Sequence, residues 1–489
     1  MTVDRRTVLK SGAAAALAGG PFAGFAALPA EAAGRYPRNV ELFPVPDERD
    51  GKVRLHLPEG FRYRSFHDTD TADGSPVVLD DGTQLPGRHD GMGAFQGSGD
   101  TVILVRNHEV NGSKGAFGPD TPYDEAAGGG TTTIRVTKRG RVLSAYTSLN
   151  GTMMNCSGGV MPWGSWMTCE ETVNGPDVGP DFTGASNAAL KKPHGYVFEV
   201  PAGEWASREP ITQAGRFAHE SVAYDPQGGA LYLSEDNFAF PSGFYRYTPQ
   251  TDPMKTGRLD NDGVLHMLKV KGRDNKHLEG RQEQGRTYDV EWVRINEPNA
   301  VFPTGSEGEP TTTNDEALTF VGNQGRAKGA ALFSRLEGTV HQDGIIYFTS
   351  TQGGGDRETA PSDSSKGFGN GFGQVWGYDP RRKTLTCVYQ SPDQETLDFP
   401  DNITTSPRGT LVLCEDSAGD NYLRGLSTNG KIWDIALNRL RTSAGDEDRF
   451  GDEFAGSTFS PDGRTLFVNI QASRGLSFAI WGPWRTIGV

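Results

Sequence analysis

Alternating apolar and polar positions, broken by short turns, organise this chain. The clearest stretch runs from Glu220 to Asp236. Its first half alternates, Asp225-Pro226 and the glycines after it read as a turn, and Leu231-Tyr232-Leu233 reads as a return strand. The same frame recurs over 402–416 around Pro407-Arg408-Gly409 and over 457–471 around Pro461-Asp462-Gly463. Looser copies span 160–171, with a turn at Pro162-Trp163-Gly164, and 339–352, with a turn at Gln342-Asp343-Gly344. Helical periodicity is nearly absent. The best candidate helix, Glu316 to Glu337, is interrupted by Gly322, Gly325 and Gly329.

Polar or metal-capable residues flank each frame in pairs: Asp90/Glu109, Cys156/Glu171, Glu220/Glu235, Glu337/Gln352, Asp401/Asp416 and Gly456/Gln471. Two antiparallel strands joined by a tight turn bring their outer ends together, so each pair is expected side by side on one rim. The first members start about every 55 to 66 residues, except for a step of 117 between Glu220 and Glu337. That period predicts an all-β fold, a six-bladed β-propeller with long loops. A set of β-sandwiches is the alternative, but it would not bring six pairs to one rim. The polar segment 254–326 reads as an insertion, and the glycine-rich 353–373 as a long loop starting at a rim position. Because Gly456/Gln471 and half of Glu337/Gln352 lack acids, the ring of carboxylates is expected to be lopsided.

The 65 glycines and 30 prolines among 489 residues are spread evenly, which fits many turns rather than a disordered tract. A net charge of −14 argues against nucleic acid or an anionic membrane surface as partner and suits a protein that holds cations. Residues 1–33 read as a cleaved leader: Arg5-Arg6 precede an uncharged run rich in alanine and glycine, closed by Ala30-Glu31-Ala32. This predicts export through the Tat translocase to the secreted, periplasmic or cell-wall side, with residues 34–489 as one propeller domain. No other stretch approaches a membrane span.

Carboxylates packed round an axis repel one another unless cations neutralise them. Oxygen ligands alone favour calcium, whereas Cys156, standing where other repeats carry an acid, points to a softer transition metal in part of the site. Cys169 and Cys414 fall on return strands and read as small buried hydrophobes. Arg335 lies two residues from Glu337, on the same face of an extended strand, and suits bidentate grip of an anion such as phosphate; a plain salt bridge to Glu337 is the competing reading. His108 and His219 stand beside rim acids, and either a site role or a structural hydrogen bond accounts for them.

Arg106-Asn107-His108-Glu109, Gly129-Gly130-Thr131-Thr132, His219-Glu220 and the long run from Gly151 through Asn155-Cys156 to Cys169-Glu170-Glu171 resemble the PhoX-type alkaline phosphatases. The resemblance implies a secreted phosphomonoesterase acting on small phosphorylated substrates, on a six-bladed propeller with Fe(III) and Ca(II). It implies Cys156 as an iron ligand, Glu171, Glu220 and Glu337 as acidic ligands, and Arg335 and Asn107 as phosphate contacts. The family's phosphate-contacting lysine has no counterpart over Ser144 to Asn150. The repeat register adds Glu109, Glu235, Asp401, Glu415 and Asp416 as further ligands. A calcium-dependent propeller lactonase or phosphotriesterase, and a non-catalytic binding propeller stabilised by calcium, are the rival readings; the first leaves Cys156 and Arg335 idle, and the second predicts no activity and no iron.

Overall fold

The computed structural model describes residues 40–358, 367–427 and 430–489. The expected leader and residues 359–366 of the long loop lie outside them. Strands dominate, and among the described residues Asn314–Arg326 is the one helix longer than a single turn. No helix among these residues is long and apolar enough to cross a membrane.

Six hairpins carry the architecture. In chain order they pair His89–Gln96 with Thr101–His108, Asn155–Met161 with Ser165–Glu170, and His219–Asp225 with Ala230–Glu235. Leu336–Gln342 then pairs with Ile345–Ser350, Pro400–Thr405 with Leu411–Glu415, and Glu453–Phe459 with Thr465–Gln471. The first strand of each hairpin packs against the first strand of the next, and the sixth packs back on the first. This closed ring of inner strands makes the fold propeller-like, as the repeat spacing predicts.

The strands assemble into five sheets rather than six separate ones. The first, second and sixth hairpins lie in sheets of four, three and four strands, and the fifth in a sheet of six. The third and fourth share a nine-stranded sheet. Thr287–Arg294 causes the fusion. It pairs with Val264–Val270 on the third side and, through Thr287 to Asp289, with Thr384–Gln390 on the fourth. Both Val264–Val270 and Thr287–Arg294 come from the segment 254–326 read as an insertion, which therefore supplies sheet as well as loops. The helix, too, starts in that segment. Thr313 caps it in a reciprocal pair with Glu316, and it ends at Arg326 because Gly329 turns the chain with φ of 85°.

The sixth sheet is closed by an early strand of the chain. Arg62–Phe66 pairs with Leu476–Trp481, tying residue 66 to residue 477. Tyr63, Phe454, Leu466, Phe478 and Ile480 are buried between this sheet and the fifth. Such a seam joins the start of the chain to its end and fixes the ring of inner strands.

Glycine lets the inner strands approach closely. A Cβ on Gly338 would lie 2.5 Å from the amide nitrogen of Ile403 on the neighbouring inner strand. Phe478→Ala, at the closing seam, is expected to destabilise the fold by about 3–5 kcal/mol, read from chemical denaturation. An effect under about 1 kcal/mol would show that the seam does not hold the ring.

Candidate metal centre

Every hairpin carries the same defect at the same place. In each, two residues of the first strand oppose one of the return strand: Asp90-Gly91, Cys156-Ser157, Glu220-Ser221, Glu337-Gly338, Asp401-Asn402 and Gly456-Ser457. These are β-bulges, which re-aim the side chain that opens them. The opening residue is in every case the first member of a sequence pair, and five of the six turn a donor toward one cavity of about 1000 Å³.

A second device fixes the other strand. Two residues before the bulge, Arg88, Met154, Arg335 and Phe399 adopt left-handed backbone, with φ of 47°, 48°, 34° and 48°. Their carbonyls accept hydrogen bonds from the N–H groups of Glu109 at 3.0 Å, Glu171 at 2.9 Å, Thr351 at 2.9 Å and Asp416 at 3.0 Å. Left-handed conformation at non-glycine residues costs on the order of 1–3 kcal/mol each, so its recurrence marks a constrained site.

This register corrects the pairing by one residue in three hairpins, among them the sixth, where the match is Ile470 rather than Gln471. Glu109, Glu171 and Asp416 each follow the return-strand residue that pairs just before the bulge, and the matching position in the third hairpin is Asp236, since Glu235 itself pairs with His219. In the fourth hairpin the match is Thr351, not Gln352. Asp236 lines the cavity; Glu235 does not. Period-two alternation sends Glu170, Glu235 and Glu415 the other way, where they pin loops. Glu170 accepts from the amides of Met153, Gly195 and Tyr196 and pairs with His194 at 2.6 Å. Glu235 accepts from the amide of Gly243 and the hydroxyl of Tyr245, both at 2.8 Å. Glu415 accepts from the amides of Asp398 and Tyr422 and pairs with Arg424 at 2.8 Å. Glu235 and Glu415, expected as ligands, are thus spent on the scaffold.

Asn107 is also spent. Its side-chain amide donates to the carbonyls of Cys156 and Ser157 and its oxygen accepts from Trp166, so it holds the thiol-bearing bulge instead of facing the cavity. His108 bridges the Gly87 carbonyl and the Thr132 hydroxyl. His219 contacts the Gly215 carbonyl and lies against Phe217, and burial lowers its pKa to about 3, so its ring is neutral.

The remaining predicted donors converge. Cys156, Glu171 and Glu220 each place a donor atom within 4.8 Å of the others, and so do Glu220, Glu337 and Asp401. Glu220 belongs to both groups. Asp90, Glu109, Asp236 and Asp416 complete the wall. Glu453 joins them, three residues before Gly456, so the sixth hairpin does bring an acid to the ring. Gly456 cannot carry one, since a Cβ there would lie 2.3 Å from the Asp90 carbonyl.

Eleven carboxylates and two guanidiniums line the cavity. Arg335 is held by Asp236, 2.8 Å from Nη2, and by Glu337 at 3.1 Å; Arg88 is held by Glu109 through Nε at 2.9 Å. Both arginines keep Nη1 without a partner among the described residues. The acids outnumber them, and burial followed by repulsion from neighbouring carboxylates pushes Asp90, Glu171, Glu220, Glu337 and Glu453 well above the usual carboxylate range. Asp401 is pushed up to about 7 by burial and Asp416, and burial with Glu220 and Glu171 raises the Cys156 thiol. The wall is chemically incomplete without cations. A thiol with two carboxylates fits a transition metal, and the all-oxygen group fits a hard cation such as calcium.

The alkaline phosphatase PhoX family model matches residues 41–146 and 141–473. The chain belongs to that family. It is a phosphatase, of a metal-dependent family. A structure of Pseudomonas fluorescens PhoX in complex with vanadate, a transition state analogue, is similar at a TM-score of 0.61 and 17% identity, covering 91% of this chain and 98% of that one. At that identity the likeness speaks for the fold. A streptogramin B lyase structure reaches a TM-score of 0.37 at 10% identity, covering 86% of this chain and 98% of that one, which carries no argument. Among curated proteins none matches the chain in sequence.

Sequence reasoning missed Asp236, Glu453 and Arg88. Arg88 stands two residues before Asp90, as Arg335 does before Glu337, and that repeated offset was a usable signal. Glu453 has no such register. Two outcomes follow. Glu171→Gln and Asp236→Asn are expected to reduce bound metal, whereas Glu415→Gln is expected to keep it and to lose about 1–3 kcal/mol of stability; elemental analysis and denaturation measure both. In chelator-stripped protein, carboxyl groups raised in the folded state bind protons between the ordinary range near 4 and about 7, the Asp401 value. Stability of the stripped protein should therefore fall as pH rises through that window, and metal should restore it on the alkaline side; a flat melting temperature between about pH 5 and pH 8 contradicts this.

Proposed function

We propose that this phosphatase hydrolyses phosphate monoesters at an iron and calcium cluster on one face of a six-bladed propeller, after export from the cytoplasm through the Tat pathway. The observation that carries the reading is the shared carboxylate: Glu220 belongs both to the group containing the Cys156 thiol and to the all-oxygen group with Glu337 and Asp401. A carboxylate common to a soft and a hard donor set suits two unlike cations held side by side. The six-blade count takes the nine-stranded sheet as two blades bridged by Thr287–Arg294, in keeping with six inner strands in one ring. Export rests on the leader motif in residues 1–33.

When bound, such ions supply Lewis acidity toward the phosphoryl oxygens and the attacking water. The chain's own residues then orient the substrate and compensate charge. Arg335 is held before substrate arrives: Asp236 and Glu337 fix its Nε and Nη2, its left-handed backbone constrains its direction, and the residue lines the cavity with Nη1 left over for an anion. A guanidinium held this way binds phosphoryl oxygens without losing side-chain freedom at the moment of reaction. Arg88, held by Glu109 through Nε and Nη2, adds a second guanidinium to the cavity wall. Among the described residues no histidine lines the cavity, and His108 and His219, beside rim acids, are held in structural hydrogen bonds. Glu337 touches both the all-oxygen donor group and Arg335, which couples the metal wall to the anion clamp.

Protein purified by its export route should contain both iron and calcium and hydrolyse a simple aryl phosphate; a colourless, iron-free protein with full activity removes the iron from the proposal. Cys156→Ala should lose iron and hydrolysis together while keeping its β-rich circular dichroism. Arg335→Ala should retain metal and lower kcat/KM by about 10²–10³-fold, the usual scale for removing one preorganised donor to a developing anion.

A further inference from the structure

The rim of the cavity is chemically divided. Phe238 stands beside Arg335, with Phe182 and Leu318 also in the lining, whereas Glu453 acts on Arg88 and Asp452 and Ser473 add further polar groups. Phe182 is 72% exposed and Phe238 44%, among the most exposed large apolar side chains of the described residues. Isolated exposed hydrophobes need no explanation, but two aromatics on the lip of a strongly acidic cavity do.

Both rings are carried on turns that the chain has stapled. The Asp181 carboxylate accepts from the amides of Thr183 and Ala185 at 2.9 Å, and from Asn111 at 3.2 Å, so Phe182 sits at the tip of a fixed turn. The Phe238 carbonyl accepts from the amide of Phe368 at 2.7 Å, while Asn237 and Ser242 close the loop beneath it. The Arg335 guanidinium lies 5.7 Å from the centre of the Phe238 ring. Beyond Phe182 the cavity continues into a groove of about 460 Å³ lined by Gly179 to Phe182 and Pro310 to Asp315. Those two walls are tied by a backbone bond from Gly179 to Thr312 at 2.8 Å.

We propose that Phe182 and Phe238 form a subsite for an aromatic or apolar ester group, so that the preferred substrates are phosphate monoesters of alcohols bearing a ring. The proposal rests on the phosphatase reading and adds its specificity. A phosphoryl group on Arg335 has Phe238 beside it, and its organic part leaves the cavity past Phe182 into the groove. Asp315 at the groove and Asp452 across the rim disfavour a second anionic group on the substrate. Rigid aromatics offer a large contact area with little entropy to lose, whereas a polyol ester gains nothing from them.

The test uses metal-loaded, full-length processed protein and two pairs of probes. Phenylphosphonate and methylphosphonate, which are not hydrolysed, report binding by calorimetry; 2-phenylethyl phosphate and ethyl phosphate, whose leaving groups are similar alkanols, report kcat/KM. The wild type is expected to favour the ring-bearing member of each pair by about tenfold or more. Phe182→Ser should bring both ratios toward one, and Phe238→Leu, which keeps an apolar side chain, should bring them part of the way. Equal affinity for the two phosphonates in the wild type, or ratios unmoved in both variants, overturns the subsite. A clear phosphonate preference without hydrolysis of either ester keeps the subsite and overturns the phosphatase reading, and failure to bind either phosphonate overturns both.

Discussion

Like charges gathered around one axis are the constraint on which this structure turns. Burial alone raises a carboxyl pKa, and a neighbouring carboxylate raises it again, so a wall such as Asp90, Glu220, Glu337 and Asp401 is unfavourable in the ionised form unless something compensates it. Two arginines cannot do so against eleven acids. A chain that pays such a penalty in the apo state gains it back only on binding cations, and the affinity of the site for metal and the instability of the stripped fold are then two sides of one free energy. The thiol of Cys156 is under the same pressure, since the thiolate is the form that ligates and burial opposes it.

The scaffold meets this repulsion with geometry rather than with salt bridges. Five of the six bulges turn one donor inward while the ladder on either side keeps its pairing, so the donors are displaced from the sheet without breaking it. The left-handed residue two positions earlier then accepts the amide of the facing return-strand residue, which locks the second row. The next acids along, Glu170, Glu235 and Glu415, are turned outward and consume the loop amides that would otherwise be buried without partners. Adjacent acids in one strand therefore do opposite work. One faces the cavity and its neighbour holds the loop that keeps it there.

That division explains what the sequence did and did not disclose. The hairpins were readable because turn grammar and alternation are local, and the bulge residues were readable because they recur at one offset from the turns. The facing strand was read one residue off in the third hairpin because Glu235 and Asp236 are both acids, and a slip of one residue exchanges the two faces of a strand. Asn107 looked like a site residue because it lies two positions before Glu109, yet it stands opposite the Asp90-Gly91 bulge, where its amide is taken up by the carbonyls of Cys156 and Ser157. The fusion of the third and fourth sheets was not readable at all. It depends on three residues of Thr287–Arg294 meeting Thr384–Gln390, a pairing about a hundred residues apart with no local signature.

The sixth hairpin shows how packing, rather than charge, decides which positions carry the acids. Its bulge opens with Gly456, which has a φ of 60° and where a Cβ would lie 2.3 Å from the Asp90 carbonyl oxygen, so there is no room for a side chain. The close contact there is what seals the sixth inner strand to the first, so an acid at this point would trade ring closure for charge. Glu453 restores the lost donor from three residues upstream, where the strand has space, and from there it reaches toward Asp416. The acid ring is thus completed by a residue outside the repeat. The sixth hairpin contributes its acid by position in space, and the sequence register breaks at a seam where two inner strands approach closely.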